Sequence, residues 1–144
     1  MNTEVMFSSK TDQWATPARL FNELNAEFNF TLDPCADEYN HKCAKYFTKE
    51  QDGLVQDWSG EIVFCNPPYG RGIPHWVKKC YEEVHCNGCP CVVMLIPALT
   101  DTRYFHDYIY GQAEIRFIKG RLKFGDSKNS APFPSMVVVF KKEE

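Results

Sequence analysis

The chain reads Glu61-Ile62-Val63-Phe64-Cys65-Asn66-Pro67-Pro68-Tyr69 near its middle, where an apolar run meets two adjacent prolines. The apolar run is typical of a buried strand. Because proline fixes φ and has no N–H to donate, the two prolines are expected to end the strand in a stiff, extended turn. Ligands bind beyond the carboxyl ends of strands in open α/β sheets. The segment therefore predicts a buried strand with a ligand site at its end.

The corner Asn66-Pro67-Pro68-Tyr69 has residue types suited to binding a planar amine. The Asn66 side-chain oxygen and the Pro67 carbonyl can accept hydrogen bonds from one amino group, and neither is basic enough to remove a proton. Together they would localise the nitrogen lone pair, as attack on a methyl group requires. The Tyr69 ring offers a face for a flat heterocycle. These four residues are the predicted catalytic residues, although proline pairs also end strands with no catalytic role.

The length and composition predict one globular domain. At 144 residues the chain is near the commonest domain size, so we expect a single compact domain over residues 1–144, with residues 1–12 flexible. No apolar run approaches the length of a membrane span, and the N-terminus lacks a signal-peptide pattern. These features predict a cytoplasmic protein with no membrane contact.

Helical and strand patterns alternate along the chain. This order predicts an α/β fold, a single three-layer Rossmann-like domain whose sheet is mostly parallel with an antiparallel C-terminal strand. A helix is expected to start with Thr16 as N-cap and Pro17 at the first helical position. The other predicted segments are strands at 28–32, 45–48, 61–65, 91–96, 115–118 and 136–140, and helices at 73–84 and 101–110.

Two further segments are suited to binding a zwitterion. Asp33-Pro34-Cys35-Ala36 places a carboxylate and small residues at the end of the first strand, where a charged amine could be met. Trp14-Ala15-Thr16-Pro17 places an aromatic ring and a hydroxyl at a helix N-terminus, which favours a carboxylate. An ordinary Asp-Pro turn and an ordinary helix start explain the same residues equally well. Asp57 could accept a hydrogen bond from the amino group of a bound nucleoside, or it could cap a solvated turn.

The seven cysteines are an odd number, which argues against a secreted disulfide framework and for reduced thiols. Cys86, Cys89 and Cys91, with Cys80 and His85 nearby, form a local cluster that could hold zinc. Structural zinc sites generally need two such cysteine pairs, and the second pair is missing. We therefore expect no metal, and a turn built with small buried thiols instead.

The net charge of −3 is unfavourable for a nucleic-acid partner, but the charge is unevenly distributed. Residues 1–99 carry 8 basic and 13 acidic side chains, whereas residues 100–144 carry 8 basic and 6 acidic ones. A weakly basic face is therefore expected in the C-terminal part. Its candidate members are Arg116, Lys119, Arg121, Lys123 and Lys128.

The ordered set of motifs resembles the phage-type DNA adenine N6-methyltransferases, which use S-adenosyl-L-methionine. The resemblance extends from Trp14 to Phe140. One departure is that no glycine follows the first-strand Asp-Pro before Gly53, where related enzymes usually have them. The matching stretches are Trp14-Ala15-Thr16-Pro17, Leu32-Asp33-Pro34-Cys35-Ala36, Tyr46-Phe47-Thr48, Asp52-Gly53-Leu54, Gln56-Asp57-Trp58, Phe64-Cys65-Asn66-Pro67-Pro68-Tyr69-Gly70 and Ala131-Pro132-Phe133-Pro134-Ser135.

The resemblance implies S-adenosyl-L-methionine as cofactor and DNA as partner, with no obligate protein partner. An adenine flipped out of the duplex would lie over Tyr69, with Phe133 at its other face. Arg71 and Lys128 lie in loops expected to contact the DNA. The donor-binding residues so implied are Trp14, Thr16, Pro17, Asp33, Pro34, Cys35, Ala36 and Asp57.

Other functions are consistent with the same corner. Asn-Pro-Pro-Tyr would also suit methylation of a guanine amine in RNA or of a glutamine side chain in a protein. A third alternative is a catalytically inactive nucleic-acid-binding module of the same fold.

Overall fold

A six-stranded sheet forms the centre of the computed structural model, which describes residues 14–125 and 127–142. The predicted flexible segment, residues 1–12, lies outside this range. The helices are α1 (Ala18–Phe28) and α2 (Ile73–Cys86), with a 3₁₀ turn at Gly53–Val55 and a π-helical turn at Phe105–Ile109. The strands are β1 (Leu32–Asp33), β2 (Lys45–Tyr46), β3 (Ile62–Cys65), β4 (Cys91–Pro97), β5 (Glu114–Phe117) and β6 (Ser135–Lys141).

The strand order in the sheet is β2-β1-β3-β4-β6-β5. The pairs from β2 to β4 are parallel, whereas β6 runs antiparallel to both β4 and β5. The predicted mostly parallel sheet with an antiparallel C-terminal strand is confirmed. Because β1 and β3 are parallel neighbours, the segments that follow Asp33 and Cys65 leave the same edge of the sheet.

The two helices cover opposite faces of the sheet. Phe64 on β3 pairs in register with Val93, and Phe140 on β6 pairs with the adjacent residue Val92, so the two phenylalanines point to opposite faces. Phe64 contacts Phe21 of α1 at 5.1 Å between ring centroids, and Phe140 contacts Tyr81 of α2 at 6.3 Å. Every residue of β4 is buried, as expected of a strand covered on both sides.

Several predicted segments differ in detail from the structure, and the second strand, for example, ends at Tyr46 rather than at residue 48. The first strand begins at Leu32 rather than at residue 28, because α1 continues to Phe28 and Asn29 then ends it in a left-handed conformation, with φ of 58°. The segment predicted as a helix at 101–110 is helical only over residues 103–109, of which Phe105–Ile109 form the π-helical turn. At the start of α1 the N-cap is Pro17 rather than Thr16, and no side chain caps the helix.

Neither described helix is long and apolar enough to cross a bilayer.

Candidate active site

The corner that follows β3 lies on the wall of a cavity of about 330 Å³, which we call the first cavity. Asn66 is half-buried, Pro67 is buried and Pro68 is exposed, and all three line this cavity. Most of the predicted donor-binding residues line the same space. These are Trp14, Thr16, Asp33, Pro34, Cys35 and Ala36.

The Asn66 side chain is held from one side by the segment that precedes α1. Its Nδ2 donates hydrogen bonds to the Trp14 carbonyl and, at 2.9 Å, to the Thr16 hydroxyl. Since a carbonyl can only accept, the amide nitrogen must face Trp14 and the amide oxygen must point the other way. The backbone around residue 15 therefore sets the orientation of the Asn66 amide.

Two acceptors of the corner have no hydrogen-bond partner among the described residues. Asn66 Oδ1 is buried and accepts no hydrogen bond from any described residue. The Pro67 carbonyl accepts none either, among the hydrogen bonds formed by residues 14–125 and 127–142. An unsatisfied buried acceptor costs about 1–3 kcal/mol, so a bound amine would recover that free energy at Asn66.

A second cavity of about 430 Å³ lies beyond the corner and is lined mainly by apolar groups. Trp14 lines both cavities, so the two spaces adjoin at this residue. Tyr69, Phe133 and the exposed Arg71, all predicted substrate-binding residues, line the second cavity. The structure thus brings the predicted donor and substrate residues to neighbouring spaces on either side of Trp14.

Four aromatic rings meet at the junction of the cavities: Trp14, Tyr69, Phe124 and Phe133. Tyr69 is 9% exposed, and its hydroxyl donates to the Leu95 carbonyl at 3.0 Å, which fixes the ring. The Trp14 ring lies within 20° of parallel to it at 6.3 Å, whereas Phe133 lies at 75°. Phe133 therefore presents an edge towards Tyr69 rather than the parallel second face expected from the sequence.

Asp33 stabilises the loop that forms one wall of the first cavity. Its two carboxylate oxygens accept backbone N–H groups from Cys35 at 3.2 Å and Lys42 at 2.9 Å. Burial raises the pKa of this carboxyl, and the two backbone hydrogen bonds offset part of the effect. A carboxylate in this position is poised to bind a cation, because a positive charge would compensate for its desolvation.

The wall of the first cavity also depends on a close approach between Gly53 and Pro34. A Cβ added at Gly53 would overlap the Pro34 carbonyl oxygen and crowd the Trp76 ring. Trp58 Nε1 also donates to the Gly53 carbonyl at 3.0 Å, so the backbone has little room to move. Gly53 is therefore needed for packing. Glycines after the first strand usually serve a different purpose, which is to let the backbone approach a ligand closely.

Replacing Gly53 by alanine is expected to destabilise the protein by about 1–3 kcal/mol and to weaken binding in the first cavity, because the Pro34 loop must shift outwards. Thermal unfolding and donor titration measure the two effects. Gly72→Ala is the matched control, since an added Cβ there meets no atom within 4 Å. Equal stability of the two variants would contradict the close approach.

Three predicted site residues are not brought into either cavity. Asp57 accepts hydrogen bonds from the backbone and side chain of Ser59 and from Asn87, so it caps an exposed turn. These hydrogen bonds also lower the pKa of Asp57, with those from Ser59 having the largest effect. Pro17 lies at the N-cap of α1 outside the lining residues, and Lys128 lies exposed on the loop before β6.

The cysteines near the site are packing groups. Cys35 lines the first cavity with its Sγ 3.7 Å from that of Cys65, and burial raises the pKa of the Cys35 thiol. Among the described residues no group of three or more histidine, cysteine and acidic side chains could hold a metal ion. In the Cys86/Cys89/Cys91 segment, Cys89 donates to the Glu61 and Cys91 carbonyls, whereas Cys86 is exposed.

The basic face is smaller than the sequence indicates. Arg116 donates two hydrogen bonds of 2.7 Å to Glu27 and a further one to Glu114, so its charge is neutralised locally. The hydrogen bonds with these carboxylates raise the pKa of Arg116. Lys119, Arg121, Lys123 and Lys128 are exposed on the segment leading from β5 to β6.

Several residues of the site were not identified from the sequence. Trp76 and Gly53 line the first cavity, and Tyr104 lines the second. Trp76 fitted the apolar stripe of α2, so its pattern indicated only core packing. Phe124 and Tyr104 carry no local signal, because only the tertiary fold brings them to residues near 14 and 69.

The chain is similar to known DNA N-6-adenine-methyltransferases. The sequence profile of the family described as DNA N-6-adenine-methyltransferase (Dam) matches residues 3–144. A DNA N-6-adenine-methyltransferase of Haemophilus phage HP1 (strain HP1c1) is 34% identical over 140 residues, covering 92% of this chain and 80% of the relative. One from Escherichia phage T1 is 33% identical over 113 residues, covering 77% of this chain and 46% of the relative.

The fold is also found in a solved structure. The crystal structure of a putative RNA methyltransferase from Pyrococcus horikoshii aligns with a TM-score of 0.62 and 14% identity, covering 99% of this chain and 91% of that one. At this identity the likeness concerns the fold alone. The profile match over nearly the whole sequence and the identity to the phage HP1 enzyme show that the chain belongs to the DNA N-6-adenine-methyltransferase (Dam) family.

Proposed function

We propose that this protein transfers a methyl group from S-adenosyl-L-methionine to the N6 amino group of adenine in DNA. The observation that carries the proposal is the unpaired Oδ1 of Asn66, at a corner between a cavity with a mixed polar and apolar lining and one that is mainly apolar. Methyl transfer to an amine needs two such spaces, one for the donor and one for the acceptor. Family membership supports the same reaction.

The first cavity fits the chemistry of the donor. Its volume of about 330 Å³ lies within the range of small-molecule sites, and its wall combines the buried Asp33 with Trp14, Pro34 and Trp76. Asp33 would hold the donor's ammonium group. When bound, the donor supplies an electrophilic methyl group on a sulfonium. Cys35 and Ala36 would leave room for the donor because their side chains are small.

The second cavity would hold the target adenine. Removing the base from the duplex costs a few kcal/mol, and contact with Tyr69 and the edge of Phe133 would offset part of this cost. Asn66 and Pro67 line the first cavity, so the amino group would have to reach across the junction at Trp14 to meet them. There Asn66 Oδ1 and the Pro67 carbonyl would accept both of its protons, which would turn its lone pair towards the first cavity. Neither group removes a proton, so the methylated amine would lose its proton to water.

The exposed cations near the second cavity would contact phosphates. Arg71 lies on its rim, and Lys128 lies on the loop before β6 that also carries Phe133. Such contacts orient the protein on DNA without reading the sequence. Because the chain carries a net charge of −3, we expect binding to be weak and to weaken further with added salt.

Donor affinity is expected to depend on pH through Asp33. The ammonium group favours the ionised carboxylate, so affinity should be constant at neutral pH and fall as Asp33 is protonated. Because burial raises its pKa above the usual 3.8, the fall should begin at a higher pH than for an ordinary aspartate. Calorimetric titration over acidic pH measures this fall, and Asp33→Asn should bind weakly without the same dependence. Constant wild-type affinity would contradict the role of Asp33.

The activity itself is tested by incubating the protein with radiolabelled S-adenosyl-L-methionine and, separately, double-stranded DNA, RNA and a protein mixture. We expect label in DNA alone, released by nuclease and phosphatase digestion as N6-methyl-2′-deoxyadenosine. Label in RNA or protein would instead support methylation of a guanine amine in RNA or of a glutamine side chain in a protein. Donor binding without label in any of them would support an inactive module.

A further inference from the structure

We infer that Thr16 is a positioning residue for methyl transfer: its hydroxyl, together with the Trp14 carbonyl, holds the Asn66 amide with its oxygen towards the target amine. The inference rests on the proposed function and assigns Thr16 a role other than binding the donor. It follows from the two hydrogen bonds donated by Asn66 Nδ2, of which the one to Thr16 Oγ1 measures 2.9 Å.

The two acceptors contribute differently. The Trp14 carbonyl can only accept, so it determines which end of the amide faces residues 14–16. A hydroxyl can donate or accept, so Thr16 alone could hold the amide in either orientation. With both acceptors present, each proton of Nδ2 has its own oxygen. Rotating the amide would lose the hydrogen bond to the Trp14 carbonyl and would reverse the direction of the one to Thr16. Thr16 therefore fixes the position of the amide, whose orientation the Trp14 carbonyl determines.

The orientation matters because the opposite one is unproductive. A rotated amide would present Nδ2 to the target amine, placing two donors together and leaving the amine lone pair without direction. Oδ1 has no hydrogen bond of its own among the described residues to oppose such a rotation. The orientation thus depends on the Trp14 carbonyl, and the Thr16 hydroxyl keeps the amide within reach of that carbonyl.

Thr16 can be substituted without removing a helix cap. It is 5% exposed and precedes α1, whose N-cap is Pro17 with no side-chain hydrogen bond, so the Thr16 hydroxyl has no capping role there. Valine has the shape of threonine without the hydroxyl, and serine keeps the hydroxyl without the methyl group. Thr16→Val therefore tests the acceptor, and Thr16→Ser tests whether the hydroxyl alone restores function.

The decisive experiment is a double-mutant cycle with Asn66→Ala. We expect Thr16→Val to lower kcat about tenfold, the effect of one hydrogen bond, with the donor dissociation constant changed less than about twofold. Thr16→Ser should restore most of the rate. In the Asn66→Ala background Thr16→Val should have little further effect, because a residue that acts through Asn66 has nothing left to position. Equal losses in both backgrounds, or a loss of donor affinity alone, would overturn the inference.

A second readout needs no activity. In ¹⁵N-labelled protein, the Asn66 side-chain amide signals are assigned by their disappearance in Asn66→Ala. We expect Thr16→Val to shift one of these two proton signals and to speed its exchange with water, and Thr16→Ser to restore it. Unchanged Asn66 signals in Thr16→Val would overturn the positioning role. A wild-type protein that methylates no DNA would instead overturn the proposed function, while the amide signals would still decide whether Thr16 holds Asn66.

Discussion

Replacing Asn66 by alanine is expected to lower the rate of methyl transfer by about a hundredfold or more, the effect of removing one preorganised hydrogen-bonding group from a reacting centre. The physical reason is that Oδ1 is the side-chain acceptor at the corner, and the Pro67 carbonyl alone cannot align the amine. Single-turnover methylation of an adenine-containing duplex at saturating donor measures the effect.

The control for Asn66→Ala is binding of the donor, since Asn66 forms only part of the first-cavity wall. Calorimetric titration should show an affinity close to that of the unchanged protein. A variant that binds the donor normally and also methylates at a near-normal rate would eliminate the hydrogen-bond role of Asn66. If the variant loses donor binding, its lower rate cannot be attributed to lost hydrogen bonds with the target amine.

Replacing Tyr69 by alanine is expected to weaken binding of the target base by about tenfold or more, because stacking on an aromatic ring contributes about 1–3 kcal/mol per base. The ring is packed among Trp14, Phe124 and Phe133, so the variant should also be less stable by about 3–5 kcal/mol. A fluorescent adenine analogue at the target position measures base binding at a temperature where the variant is folded.

Tyr69→Phe separates the ring from its hydroxyl. The hydroxyl bonds to the Leu95 carbonyl, so phenylalanine should lose roughly 1 kcal/mol of stability while keeping the aromatic face. Base binding by Tyr69→Phe should therefore remain close to that of the unchanged protein. If Tyr69→Ala binds the base as well as Tyr69→Phe does, the base does not stack on this ring.

The sheet and the location of the site followed from local patterns. The apolar run before Asn66, the proline pair and the uniformly apolar Cys91–Pro97 segment each have one simple structural interpretation, and the structure agrees with all three. The first strand was placed too early because Phe28 and Phe30 fit both a helix face and a strand. Asn29 ends the helix in a left-handed conformation before the strand begins, and the spacing of apolar residues does not predict this conformation.

The internal geometry of the site could not be predicted from the sequence. Asn66 and Thr16 are 50 residues apart, and only the packing of residues 14–16 against the corner brings their side chains together. The same long-range packing turns Phe133 edge-on to Tyr69 and adds Phe124 and Tyr104 to the surroundings. Asp57 was predicted to bind a ligand, but its carboxylate accepts hydrogen bonds from Ser59 and Asn87 at an exposed turn outside the cavities.

The most direct measurement of the central claim is a crystal structure of the protein with S-adenosylhomocysteine and a duplex that contains its target adenine. We predict the demethylated donor in the first cavity, and the adenine N6 within about 2.7–3.2 Å of both Asn66 Oδ1 and the Pro67 carbonyl oxygen. An adenine amine bonded to other groups, or a donor held away from the wall formed by Asp33 and Pro34, would contradict the account.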